Sequence, residues 1–192
     1  ESNDFSYIFG TQSFGPFIQH SISRDLIPTF YLRRSKIDQK FRQLGAFNSS
    51  WSVSFGPGAS SWFDKIINSD SVVTLPENEF LAAKVAVKHN KNQYLKTSPD
   101  QLDSSAYNLI SSDSDIYLFS LVNSINQMVL NPSDLENILN QALNSKNKVT
   151  VILDGAQAFG NVDMTFLGAL LDRYSSIPIA ITGSTIKHLS CV

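Results

Sequence analysis

The segment Phe9-Gly10-Thr11-Gln12-Ser13-Phe14-Gly15 is the first place where residue type and spacing suggest chemistry. A glycine-rich turn between a strand and a helix lets backbone N–H groups approach a phosphate, and the pattern for a dinucleotide is G-x-G-x-x-G. Gly10 and Gly15 fill the first and third positions, which make the tight turn and the close helix–strand contact. Gln12 takes the second, where its side chain projects toward the place of a pyrophosphate. Two readings stay open: a turn that still admits a dinucleotide weakly, and a βα corner with no ligand at all. Sites for NAD carry an acidic residue about 20 residues further on. Here the second apolar run ends instead in Arg33-Arg34. A guanidinium binds a 2′-phosphate through paired N–H groups, so a cofactor at this place is expected to be NADP, bound weakly or lost. A solvated strand end would look the same.

Other chemistry is thinly supported. His20, His89 and His188 are scattered without metal-ligand spacing. Neither a G-x-S-x-G elbow nor a Walker A loop is present, so Asp154 after its apolar run is no Walker B acid and Asp154-Gly155 reads as a turn. The stretch with Lys84, Lys88, Lys91, Tyr94 and Lys96 is compatible with RNA or an acidic partner, and equally with a solvated face. The net charge is −2, so neither DNA nor an anionic membrane is an expected partner. No apolar run approaches the roughly 18–20 residues of a transmembrane helix. Cys191 is the one cysteine, which rules out an internal disulfide and mildly favours a reducing, intracellular compartment such as the cytoplasm or mitochondrial matrix.

The elements that must position these groups alternate between short apolar runs and amphipathic stretches, which predicts an α/β fold with a mostly parallel, Rossmann-like sheet and helices on both faces. Strands are expected at 5–9, 28–32, 51–55, 71–75, 116–122, 149–153 and 177–182. Helices are expected at 14–22, 35–44, 62–67, 100–110, 133–143 and 164–171, from apolar residues at helical spacing. Pro76 is expected to stop its strand. Ser133 with Glu136 reads as a capping box. Residues 77–96 fit either a helix or an extended strand. Nothing divides the 192 residues into two domains, so one domain with an irregular insertion around 46–114 is expected.

The order of these motifs resembles ketopantoate reductase, in its N-terminal nucleotide-binding domain. The likeness rests on Gly10, Gly15 and Arg33-Arg34, on the strand Asp115 to Val122, on Val149 to Gly155, and on Ile177 to Thr185. It implies cofactor contacts at Gly10, Gln12, Gly15, Arg33, Arg34, Leu121, Asp154 and Gly155. The family's strand-end lysine falls at Val122, its Asn-Gly asparagine at Asp154, and its middle glycine at Gln12. These three departures imply a catalytically degenerate member without catalytic residues, acting as a scaffold or interaction module with a protein partner. The alternative is the cofactor-binding part of an active NADPH-dependent 2-oxo acid reductase. The family's C-terminal helical domain supplies its catalytic groups; this chain ends soon after Gly183, so either a fragment or a member lacking that half is expected.

Overall fold

Val72–Pro76 (β1), Lys91–Leu95 (β2), Ile116–Ser120 (β3), Thr150–Asp154 (β4) and Ile179–Thr182 (β5) pair in parallel in the order β2-β1-β3-β4-β5. The computed structural model describes residues 39, 51, 63, 65–79, 81–95, 113–123, 125, 127–158 and 161–182. The expected elements at 5–9, 14–22, 28–32 and 100–110, and most of those at 35–44 and 51–55, lie outside them.

The connections are the helices α1 (Leu81–Ala86) between β1 and β2, α2 (Pro132–Asn144) between β3 and β4, and α3 (Met164–Asp172) between β4 and β5. The path from β1 to β2 advances one way across the sheet, and the path from β3 through β5 advances the other way. Right-handed crossovers therefore place α1 on one face and α2 and α3 on the opposite face. The cores agree. Tyr117, Phe119, Val151 and Leu153 pack with Leu135, Ile138 and Leu139 of α2 and with Leu167, Leu170 and Leu171 of α3. Their strand neighbours Ile116, Leu118 and Ile152 turn the other way, against Val73, Leu75, Ala83, Val87 and Phe63. Each buried Val, Leu, Ile or Phe among them stabilises the fold by about 1.5–3 kcal/mol.

The expected α/β fold with a parallel sheet is what forms. Residues 77–96 hold both alternatives in succession, a short helix and then a strand. The strand expected at 71–75 and stopped by Pro76 runs over Val72–Pro76, with Pro76 as its last residue. The cap of α2 also differs from the expected Ser133/Glu136 pair. Asn131 is the N-cap, and its Oδ1 accepts from the Asp134 N–H at 2.9 Å and from the Ser133 hydroxyl at 2.6 Å. Pro132 at the first helical position needs no partner for an N–H it lacks.

Asp134 is only 4 % exposed in this first turn. Burial raises its pKa above the ordinary carboxylate range, partly offset by the hydrogen bond from Asn131. A carboxyl whose folded pKa is raised contributes stability that is present below its unfolded pKa and lost as pH rises through the folded one. Asp134→Asn is therefore expected to remove a loss of stability that sets in as pH rises past the ordinary carboxylate range. Denaturant unfolding at several pH values checks this. Parallel wild-type and variant profiles would refute it.

Candidate functional site

In a parallel α/β sheet, ligands bind outside the carboxyl ends of the strands, where the chain's direction across the sheet reverses. That reversal lies between β1 and β3 among the described residues. The strand pairing itself opens there. β1 and β2 share five registered pairs, as do β3 and β4, whereas β1 and β3 share only Val73↔Ile116 and Thr74↔Tyr117. Beyond Thr74 the Ser120 N–H is taken by the Glu79 carboxylate at 3.0 Å, and the Ser120 hydroxyl donates to the same carboxylate. Glu79 is 1 % exposed. Next to it, Asn123 donates from Nδ2 to the Asn78 carbonyl at 3.1 Å and accepts the Ile125 N–H at 2.9 Å. These bonds bridge the gap between the two diverging strands and hold its walls.

A row of polar residues runs away from this gap along the strand ends. Ser120, Asp154 and Thr182 are register partners on β3, β4 and β5. Partners in register share a face, so all three stand on the side of Leu118 and Ile152. Asp154 is 5 % exposed. Its Oδ1 accepts the Thr182 hydroxyl at 3.0 Å and the Ala156 N–H at 2.9 Å. The described hydrogen bonds leave Oδ2 unused, and Asp154 has no cationic partner among the described residues. The Gly155 N–H continues the ladder to the Thr182 carbonyl at 2.9 Å. A Cβ at Gly155 would lie 2.7 Å from that same oxygen, so the glycine permits the close approach of the two strand ends. Gln157 follows in the turn, half-buried.

Of the residues expected at a site, Leu121, Asp154 and Gly155 come together. Leu121 is buried, with Cδ1 at 3.6 Å from where a Gly155 Cβ would stand. Gly10, Gln12, Gly15, Arg33 and Arg34 lie outside the described residues. Val122 is buried and forms an isolated antiparallel bridge with Val129. Glu79, Ser120, Asn123, Gln157 and Thr182 were not anticipated. One signal points to some of them: a polar residue directly after a buried apolar run, as in Phe119-Ser120, Leu153-Asp154 and Ile181-Thr182. Among the described residues, no helix is long and apolar enough to cross a membrane.

No family model matches the chain, and no curated protein matches its sequence. Solved structures do match its fold. YbdL from Escherichia coli, described with a methionine aminotransferase function, gives a TM-score of 0.52 at 11% identity over 69% of this chain and 36% of that one. An alanine aminotransferase from Pyrococcus furiosus gives 0.52 at 15% identity, covering 66% of this chain and 34% of its own. An aromatic aminotransferase from Pyrococcus horikoshii gives 0.50 at 17% identity, covering 64% and 36%. The chain thus spans about a third of the length of the structures it matches. These likenesses overturn the ketopantoate reductase resemblance, together with NADP as the cofactor, the reductase activity and the degenerate-reductase scaffold drawn from it. In the described sheet the point where the strand order reverses is built by residues 77–79 and 120–123, with the buried Glu79 carboxylate at it.

Proposed function

We propose that the chain is part of a pyridoxal phosphate-dependent enzyme that transfers amino groups, with Asp154 as the partner of the cofactor's ring nitrogen. The observation that carries this is the Asp154 carboxylate, nearly buried at the end of a central strand, bonded only by neutral donors and without a countercharge among the described residues. A buried carboxylate is costly unless a positive group meets it. Aminotransferases share the fold, and a carboxylate opposite a pyridine nitrogen is the recurring arrangement for this cofactor.

When bound, pyridoxal phosphate supplies an electron sink for a carbanion beside an amino group, which no side chain can supply. The residues of this chain would do the rest. Asp154 would keep the ring nitrogen protonated at Oδ2, the oxygen that the described bonds leave unused. The Gln157 side chain offers an amide donor for an oxygen substituent of the ring. The bonds of Glu79 to Ser120 and of Asn123 to the Asn78 carbonyl would hold the mouth of the crevice in shape. Lys187, which follows β5 in the sequence and lies outside the described residues, would supply the amine that holds the cofactor covalently.

The test is uptake of pyridoxal phosphate. The protein is expected to acquire a visible absorption band with induced circular dichroism. Borohydride reduction should then fix the cofactor on a lysine that peptide mass spectrometry places at Lys187. Failure to take up the cofactor would overturn the proposal.

A further inference from the structure

We infer that Thr182 is a positioning residue for Asp154: its hydroxyl, together with the Ala156 N–H, holds one carboxylate oxygen so that the other is left for the ring nitrogen of bound pyridoxal phosphate. This rests on the cofactor proposal above and adds a residue to it. The second torsion of an aspartate is broad, so one hydrogen bond does not fix the plane of its carboxylate. The Ala156 N–H comes from the turn directly after Asp154 and by itself makes only a local loop of the kind common at Asp-Gly sequences. The second donor comes from 28 residues away, on the neighbouring strand. Both converge on Oδ1.

The placement of that second donor is over-determined. Thr182 is the register partner of Asp154, and it is 6 % exposed. Its main chain is tied to Gly155 by the 2.9 Å bond to its carbonyl, at an approach that only a glycine allows. Its side chain is β-branched and stiff at the first torsion. The hydroxyl is thus delivered to Asp154 by the backbone rather than by a flexible chain. A carboxylate anchored at Oδ1 cannot swing, and Oδ2 stays in one place to receive a cation.

The experiment compares Thr182→Val, which replaces the hydroxyl with a methyl group of similar size, with Thr182→Ser, which keeps it. T182V is expected to bind pyridoxal phosphate about tenfold more weakly and to shift the pH response of its visible band, with T182S close to wild type in both. A hydrogen bond to a charged group is of that size. A cofactor-free readout runs beside it: a double-mutant cycle of T182V and D154A in denaturant unfolding. The pair is expected to be non-additive by about fivefold in the folding equilibrium constant. Wild-type-like uptake and pH response in T182V, or an additive cycle, overturns the positioning role alone. A wild-type protein that takes up no cofactor while the cycle still shows coupling overturns the cofactor proposal and this role with it, leaving the pair as a structural bond.

Discussion

Asp154→Asn is expected to lower the affinity for pyridoxal phosphate by about a hundredfold or more, while the cofactor-free protein becomes no less stable. The two halves have one cause. In the folded chain the Asp154 carboxylate is 5 % exposed and has no cation beside it among the described residues. Its two described donors are neutral, the Thr182 hydroxyl and the Ala156 N–H. Asparagine keeps an oxygen to accept both, so the turn and the strand end remain bonded. It removes a desolvated charge, which costs the folded state nothing and can raise its stability. The cofactor complex responds in the opposite sense. A protonated ring nitrogen facing an amide in place of a carboxylate loses its countercharge in a nearly dry site, and removing one partner of a buried ion pair costs about 3–5 kcal/mol. A factor of a hundred corresponds to the lower end of that range. Equilibrium titration followed by the visible band measures the first half, and thermal unfolding without cofactor the second. A variant that binds the cofactor as the wild type does would remove Asp154 from the site. A variant that loses both binding and stability would make Asp154 a structural residue.

The regular part of this fold is legible where burial dictates the residue types. β3 and β4 are continuous apolar runs because both of their faces are covered, and α2 and α3 show their apolar stripes because each packs one side on the sheet. Their ends shift by at most two residues, as when Asn131 rather than Ser133 caps α2. β2 is different. It lies at the edge of the described sheet, with Lys91 and Tyr94 exposed, so it carries no apolar pattern to read. α1 has six residues, too few to show a period.

The site was less legible because it is assembled by strand register. Glu79 meets Ser120 across 41 residues, and Thr182 meets Asp154 across 28. Neither pair has a sequence spacing that marks it. Asp154 is one of the three departures from the ketopantoate reductase pattern, and beside an anionic dinucleotide its carboxylate is unfavourable. The same carboxylate becomes the favourable feature once the group facing it is a protonated ring nitrogen. Alternating strands and helices with a glycine turn occur in many unrelated α/β proteins, so that pattern supported the fold and misled on the ligand.

Gly155→Ala tests whether this strand-end geometry carries the site. The added methyl group would stand 2.7 Å from the Thr182 carbonyl oxygen, with the Ile181 Cγ2 at 3.4 Å and the Leu121 Cδ1 at 3.6 Å. The nearest atom is backbone, so no side chain can rotate out of the way. Relief requires β4 and β5 to separate at their carboxyl ends, which lengthens or breaks the bond from the Gly155 N–H to the same carbonyl. Overpacking of this kind costs about 1–3 kcal/mol, and the lost hydrogen bond about 0.5–1.5 kcal/mol. Alanine also restricts the unfolded chain, which offsets about 0.4–1 kcal/mol. The expected net loss is about 2 kcal/mol, read as a melting temperature roughly 4–8 °C lower in a chain of this size. Separation of the strand ends also carries the Thr182 hydroxyl away from Asp154, so cofactor affinity should fall at temperatures where the variant is still folded. Unchanged melting would mean that the strand ends part without cost. Lower melting with unchanged affinity would mean that the contact stabilises the sheet but does not set the carboxylate.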